Sequence, residues 1–514
     1  VPELGAIGRG EDMQITTYLE KSVQSELSGN VIDLCPVGAL TSKPYVFEAR
    51  PWELKKTETI DVMDAVGSNI RVDTYDWEVK RVLPVINEDI NEEWISDKTR
   101  YACDGLLNQR LDTPYIKYNN KFEKASWDEV YKIIKSKIEN ADKAKIGGFV
   151  GDLTNMEAGY IFKEFFDRTI DSNKYECRSS SSHYIDNSKR ENYLFNSNIN
   201  GIEEADLIIL IGTNPRFEAT MLNARIRKAY LKNKLNVTSL NDVGDLTYPY
   251  QSLDGKTQTI KDIIENNHKI SKDIIEAKKP LIIFGESFLK SNSAEYLFRS
   301  FKKFLISKEK FNSEWNPLNL ISADAATVGN LDLDIIDQTN KLLDDLYQNK
   351  LEIVFLLGQD NLNINKKSEF IIYIGSHGDK GAEMADVILP GAAYTEQDGH
   401  FTNLEGKIQK AYRASYPPGD AKEDYEIIND LSKFIKRKKL FINKNELIDS
   451  LMNYLKLKNE KHNNVSEQNI DFFKEKINID YIDYYYTNVI ARASLTMSEC
   501  KNKKAEIKKT GTEG

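Results

Sequence analysis

Ala205-Asp206-Leu207-Ile208-Ile209-Leu210-Ile211-Gly212-Thr213-Asn214-Pro215-Arg216 decides the fold of this chain. Its centre is apolar at every position and stops at a glycine. A strand with one face in water alternates apolar and polar residues, whereas a strand apolar throughout is covered on both faces. The design recurs in Ile146-Gly147-Gly148-Phe149-Val150-Gly151 and in Pro280-Leu281-Ile282-Ile283-Phe284-Gly285. Ile353-Val354-Phe355-Leu356-Leu357-Gly358 and Phe370-Ile371-Ile372-Tyr373-Ile374-Gly375 repeat it. Helical patterns lie between these runs: residues 127–140 after a Ser126 cap, residues 157–169 and residues 221–231. Buried strands alternating with helices predict an α/β body of doubly wound parallel sheets. Strands that end in glycine predict ligand-type loops at the carboxyl edge of the sheet.

The loop Gly212-Thr213-Asn214-Pro215-Arg216 has two readings. Glycine permits a tight turn, the Asn side chain can turn back on the backbone, and Pro starts the next segment. Such a loop can hold a nucleotide phosphate at a helix N-terminus, and it can equally be a plain connection. Gly358-Gln359-Asp360-Asn361 has a similar shape, which suggests two related halves.

Towards the N-terminus the pattern changes. Tyr45-Val46-Phe47, Ile70-Arg71-Val72-Asp73-Thr74-Tyr75 and Val79-Lys80-Arg81-Val82-Leu83-Pro84-Val85 read as short strands of a small antiparallel unit. Residues 1–42 are polar and poor in core residues, with a helix expected over residues 22–27. Beyond residue 442 the chain is rich in Lys, Asn and Tyr with helical stretches, and residues 501–514 are expected to be disordered. The expected division is the remnant of a small domain over 1–44, a small β-rich domain over 45–112, the α/β body over 113–440, and a C-terminal helical segment and tail over 441–514.

The 514 residues suffice for about three domains. A net charge of −10 and a pI near 5.4 argue against a nucleic-acid surface. Four cysteines, at 35, 103, 177 and 500, are too few and scattered for a disulfide scaffold. No apolar run approaches the ~20 residues that cross a bilayer.

One thiol stands out. Cys35 lies in Gly29-Asn30-Val31-Ile32-Asp33-Leu34-Cys35-Pro36-Val37-Gly38-Ala39-Leu40. A remote Cys-Pro in a glycine-containing loop is how the last thiolate of a ferredoxin-type cluster site reads, after three closely spaced cysteines. A buried structural Cys is the other reading. No Cys precedes Cys35, and the chain begins at Val1, so the expectation is a fragment that starts after the other three ligands. No nucleophile elbow, Walker A loop or His-Glu-x-x-His occurs, and the four cysteines are too far apart in sequence to form a complete metal site. His400, in the turn-rich stretch Glu396-Gln397-Asp398-Gly399-His400-Phe401-Thr402-Asn403-Leu404-Glu405-Gly406-Lys407, reads as hydrogen-bonded structure rather than as a catalyst.

Several segments together carry a resemblance: Ser25-Glu26-Leu27-Ser28-Gly29-Asn30, Ala39-Leu40-Thr41-Ser42-Lys43-Pro44, Ala49-Arg50-Pro51-Trp52-Glu53-Leu54, Asn223-Ala224-Arg225-Ile226-Arg227-Lys228, Pro417-Pro418-Gly419 and Thr487-Asn488-Val489-Ile490-Ala491-Arg492-Ala493-Ser494. With the Gly212 loop and the segment around His400, they make the chain resemble the large iron–sulfur subunit of NADH:quinone oxidoreductase, respiratory complex I. The 126–434 region is similar to the molybdopterin-binding part of formate dehydrogenases and nitrate reductases.

The resemblance implies an electron-transfer subunit with no catalytic residue of its own. It implies that Cys35 completes a [4Fe–4S] cluster whose other ligands lie upstream of Val1. A [2Fe–2S] and a further [4Fe–4S] cluster are implied for that missing part. Some bacterial members hold one more cluster after the Trp-Glu-Leu segment, but Val62-Met63-Asp64-Ala65-Val66-Gly67-Ser68-Asn69-Ile70 contains no Cys, so that cluster is not expected. Cys177 and His183 mark the one place for a molybdenum ligand, and no molybdenum is expected. The implied partners are the NADH/FMN-binding subunit and the quinone-side iron–sulfur subunits. The implied location is the matrix side of the mitochondrial inner membrane or the cytoplasmic side of an alphaproteobacterial plasma membrane, attached but not spanning. The alternatives are a molybdopterin-dependent oxidoreductase and a cluster-free scaffold.

Overall fold

The computed structural model describes residues 4–17, 23–460 and 470–509. Two parallel sheets carry the body. In the five-stranded sheet the order is Gln251–Ser252, Asn236–Ser239, Leu207–Ile211, Pro280–Phe284, Leu318–Leu320, and every neighbouring pair is parallel. In the seven-stranded sheet, Tyr175–Glu176, Ile146–Val150, Ile353–Leu357, Phe370–Gly375 and Val387–Pro390 run parallel. The hairpin Tyr115–Tyr118 and Lys121–Lys124 adds an antiparallel edge.

The all-apolar runs are explained by what each face touches. Ile353, Phe355 and Leu357 enter a core with Phe162, Phe165 and Phe166. Val354 and Leu356, pointing the other way, enter a second core with Leu342 and Leu343. Leu207, Ile209 and Ile211 likewise face one core while Ile208 and Leu210 face another. Period-two side chains with two dry faces leave no position for a polar residue.

The helix Trp127–Asn140 starts at a capping box in which Ser126 and Glu129 satisfy each other's backbone N–H groups. Met156–Phe165 continues through a wider turn, Phe166–Ile170, and stops at Asp171 in a left-handed conformation. The helix Thr220–Asn233 follows the Gly212 loop.

The two halves are alike at their switch points. Gly212 and Gly358 both end a central strand with positive φ, 63° and 58°. At Gly212 a side chain also has no room: a Cβ there falls 2.5 Å from the Phe288 backbone N. Gly212→Ala is therefore expected to destabilise the body by about 2 kcal/mol or more, combining left-handed strain with the clash. Urea unfolding of the variant checks this, and an unchanged midpoint contradicts it.

The small N-terminal unit is an antiparallel sheet in the order Lys55–Ile60, Asn69–Tyr75, Glu78–Pro84. Two expected strands are present, but Tyr45-Val46-Phe47 is a turn, with Val46 N–H donating to Ser42 O and Phe47 98% exposed. The third strand is Lys55–Ile60, whose start, Lys-Lys-Thr-Glu, lies mostly exposed and carries little apolar signal. The helix expected over residues 22–27 is also absent. Residue 22 lies outside the described residues, residues 26–29 form a turn, and the helix is Asn30–Leu34. Residues 501–509 are helical rather than disordered, as part of Leu495–Lys509. That helix is anchored by buried Met497 and by Lys501 against Asp483 at 2.5 Å. Residues 510–514 lie outside the described residues.

Residues 476–493 form a strap across the carboxyl ends of both sheets. Ile477 N–H donates to Gly255 O, Asn241 Nδ2 donates to Ile477 O, and Asp480 N–H donates to Ser287 Oγ at 3.0 Å. Asn488, Val489 and Ile490 then reach the second sheet, beside Gly358 and Asp152.

Candidate functional site

Cys35 caps the C-terminus of the helix Asn30–Leu34, its N–H donating to Ile32 O. Beyond Pro36 the chain turns at Gly38, whose φ is 67°. This left-handed step folds the next residues around the sulfur. The N–H of Leu40 holds the Cys35 thiol pKa below its ordinary value, and burial opposes it. The N–H groups of Ala39, Val37 and Gly38 add to the lowering. Convergent backbone N–H groups form a nest for an anion.

The other three thiols are shifted the opposite way. Burial, with Asp104 beside it, pushes Cys103 up to about 12. Burial and Glu176 push Cys177 up, and burial pushes Cys500 up. Cys35 is thus the one thiol of four whose surroundings favour the thiolate, the form that binds metal. Among the described residues no group of three or more His, Cys, Asp or Glu is arranged to hold a metal ion.

The chain neighbours of Cys35 include exposed apolar side chains, Leu34 at 60% and Val37 at 81%. Beside it a cavity of about 780 Å³ opens between residues 32–50, the strand Glu78–Pro84 and the short helices over 97–107. Ile32, Leu40, Tyr45, Val82 and Tyr101 line it.

Residues 62–70 are core. Val62, Met63, Val66 and Ile70 are all buried. Between them Asp64 pairs with Lys98 at 3.2 Å, the two side chains 2% and 1% exposed. Asp61 accepts a hydrogen bond from Thr99 Oγ1, and burial together with Asp64 pushes its carboxyl up to about 7. Sequence reasoning misses this ion pair. The two residues are 34 positions apart, and a charged residue in a loop normally signals solvent.

The Gly212 loop spends its donors internally. The Glu218 carboxylate accepts from Asn214 N–H at 2.7 Å and from Thr213 Oγ1 at 2.8 Å. Asn214 Oδ1 accepts from Arg216 N–H, and Arg216 is held by Glu26 and Asp245. These are the groups that would otherwise meet a phosphate. Below the strap a crevice of about 230 Å³ carries Glu218, Glu286, Asp324, Asp480 and Asp483 against Lys98, Lys290 and Arg492. Burial pushes Glu218 up to about 7. Burial, then Asp152 and Glu286, push Asp324 well above the carboxylate range. The chain's own strap crosses this crevice, contributing Asp480, Asp483 and Arg492 to its lining.

The remaining candidates are structural. His400 Nδ1 lies 2.6 Å from Glu157 Oε1, and its backbone N–H donates to Glu157 Oε2, which ties the hairpin Gly399–Thr402 and Ile408–Ala411 to a body helix. Around Cys177 and His183, Arg178 binds Glu176 with two donors and gives a third hydrogen bond to His183 O. Burial pushes the His183 imidazole down to about 4, so it is neutral at physiological pH.

Asp360, at the second switch point, accepts from Tyr373 OH and Gly381 N–H, and burial pushes it from 3.8 up to about 7. The folded protein therefore keeps this proton where the unfolded chain releases it. Folding takes up a proton between pH 4 and 7, and this residue's contribution weakens stability as pH rises through that window. Asp360→Asn keeps the Gly381 N–H bond at Oδ1 and lets Nδ2 donate to the Tyr373 hydroxyl in place of the bond it gave, so it is expected to flatten the fall and to stabilise above pH 7. Urea unfolding from pH 4 to 8 checks the slope, and an unaltered slope contradicts it.

The doubly wound sheets are those of a molybdopterin oxidoreductase body, and the family model described as molybdopterin oxidoreductase matches residues 110–434. Acetylene hydratase from Pelobacter acetylenicus superposes with a TM-score of 0.54 over 79% of this chain and 72% of its own, at 12% identity. At that identity the likeness is one of fold. Three further family models match. They are the ferredoxin-like domain of NADH-quinone oxidoreductase subunit 3 over residues 1–41, the NDSU1/NuoG-like 4Fe-4S domain over 54–104, and the C-terminal region of the NADH-ubiquinone oxidoreductase G subunit over 456–500. The mitochondrial NADH-ubiquinone oxidoreductase 78 kDa subunit of Candida albicans is 43% identical, over 97% of this chain and 71% of that protein. The 75 kDa subunit of Reclinomonas americana is 41% identical over 98% and 76%. The G subunit of the NADH-quinone oxidoreductase of Rickettsia bellii is 42% identical over 99% and 75%. The chain belongs to the family of the 75/78 kDa, or NuoG-like, subunit of NADH-ubiquinone oxidoreductase.

Proposed function

We propose that this chain is an electron-transfer iron–sulfur subunit of NADH:ubiquinone oxidoreductase, and that Cys35 is one thiolate ligand of a [4Fe–4S] cluster. The observation that carries the ligand assignment is the contrast among the four thiols. Cys35 alone has its pKa lowered, by the N–H groups of Leu40, Ala39, Val37 and Gly38, while Cys103, Cys177 and Cys500 are raised. N–H groups that favour a thiolate also suit a ligand sulfur carrying negative charge, and hydrogen bonds to sulfur tune a cluster's potential. When bound, the cluster supplies one-electron transfer. This chain's residues hold the sulfur, orient it and present exposed apolar side chains next to it.

No acid or base is required for that role, and among the described residues Cys35 is the one ligand proposed. A [2Fe–2S] and a further [4Fe–4S] cluster belong to the same reading. So do the NADH/FMN-binding subunit and quinone-side iron–sulfur subunits as neighbours, and a place on the matrix side of the mitochondrial inner membrane or on the bacterial cytoplasmic face. Among the described residues no helix is long and apolar enough to cross a membrane. The proposed units are 1–44, 45–112, 113–440 and 441–514. The strap-crossed crevice favours this reading over a molybdopterin-dependent enzyme. The lowered Cys35 pKa favours it over a cluster-free scaffold.

Alkylation tests the assignment. In the assembled complex Cys35 is expected to resist iodoacetamide until acid and chelator destroy the clusters, and then to react. Immediate labelling in a complex with all its iron overturns it.

A further inference from the structure

The helix that delivers Cys35 is five residues long, too short to hold itself in place. Its fixity comes from residues 95–100, in the small unit. Asn30 Nδ2 donates to Ile95 O at 2.8 Å, and Ile95 N–H donates back to Asn30 Oδ1. The Asp97 carboxylate accepts from Ser28 and Gly29 N–H. Across this joint lies Arg100, only 5% exposed. Its Nη2 donates to Asn30 Oδ1 at 2.9 Å and to Asp33 Oδ2 at 2.6 Å, so one guanidinium grips both ends of the helix. Its buried Nε has no hydrogen-bond partner. Gly29 explains why: a Cβ on Gly29 falls 2.7 Å from Arg100 Cδ and 2.8 Å from Nε, so the side chain lies flat on bare backbone. Gly29 has φ −62°, which any residue adopts, so a side chain is barred here by contact and not by backbone conformation.

We propose that Arg100 is a positioning residue for the Cys35 ligand, a latch from the small unit that fixes the helix Asn30–Leu34 and through it the loop that wraps the sulfur. The proposal rests on the reading of Cys35 as a cluster ligand. Releasing the latch loosens the nest without removing the thiolate. The cluster is retained, but the loop that turns at Gly38 holds its N–H groups less firmly towards the sulfur, and such donors favour the more negative, reduced state. Its midpoint potential therefore moves to a more negative value.

The test uses the assembled complex carrying Arg100→Gln, Arg100→Lys or Gly29→Ala. Two readouts are taken: the EPR-monitored potential of each cluster, and amide hydrogen exchange across residues 28–40. In all three variants one cluster is expected to keep its signal with a more negative potential. Amides of residues 30–35 are expected to exchange about ten-fold faster or more, while the parallel sheets are unchanged. Arg100→Lys keeps the charge, but its shorter side chain does not bring a nitrogen to the Nη2 position that meets both acceptors, so full recovery of both readouts by Lys overturns the positioning role. Unchanged potentials and unchanged exchange in Gly29→Ala overturn it as well. Should Arg100→Gln prevent assembly, Asp33→Ala removes the acceptor from a side chain 33% exposed and must move both readouts. Loss of the whole signal is the outcome reserved for Cys35→Ala. A Cys35→Ala complex that keeps every signal defeats the ligand reading, whereas the exchange measurement still judges the latch.

Discussion

Replacing Cys35 with Ala is expected to abolish one reduced-cluster EPR signal of the assembled complex, to leave the others in place, and to stop most NADH-to-quinone electron flow. The size of the effect follows from the chemistry. A cubane cluster has four protein ligands, and Cys35→Ala removes one of them. The specificity follows from the fold. The parallel sheets are built from residues 115–390, and none of their cores includes Cys35. The variant chain is therefore expected to fold with unchanged far-UV circular dichroism and an unchanged unfolding midpoint. Cys103→Ala, by contrast, is expected to leave every cluster signal intact, because that thiol is held protonated by burial.

The largest loss of stability is expected from Lys98→Ala. The ammonium lies 3.2 Å from Asp64 with both side chains almost wholly buried. Truncation leaves the Asp64 carboxylate in a core of Val62, Met63 and Ile70 with Asp61 beside it and no cation. Breaking a buried pair from one side costs about 3–5 kcal/mol. Replacing both partners by apolar residues of similar volume, Lys98→Met with Asp64→Leu, is expected to recover most of that loss, since no unpaired charge remains. Chemical denaturation of the two variants separates the cases. Equal losses in both mean that Lys98 matters through packing rather than charge.

The body is legible in the sequence because two-faced burial writes itself as unbroken apolar runs. Residues 127–140 are legible to the residue because Ser126 and Glu129 spell a capping box. The glycines at 212 and 358 mark the switch points correctly. Apart from residues 501–509, which are helical, what fails lies at the N-terminus. Tyr45-Val46-Phe47 has strand composition but no neighbouring strand to pair with, and composition does not report partners. Lys55–Ile60 escapes notice because an edge strand with one wet face needs few apolar residues. The same limit governs the site. Cys35 is visible from its Pro and its resemblance. The buried pair Lys98 and Asp64, and the grip of Arg100 on Asn30 and Asp33, join residues 34 to 70 positions apart, and no local pattern carries that information. The Gly212 loop is a case where the sequence leaves two readings open. Its sequence suits a phosphate, yet Glu218, four residues beyond Asn214, takes the donors first.

The central claim is a bond between one sulfur and iron. A cryo-EM map of the assembled complex, at a resolution that separates the irons of a cubane, tests it directly. Continuous density from Cys35 Sγ to one iron, with the N–H groups of residues 37–40 turned towards the sulfur, is the expected result. A cubane held by four other side chains, with the Cys35 thiol packed against protein alone, contradicts it.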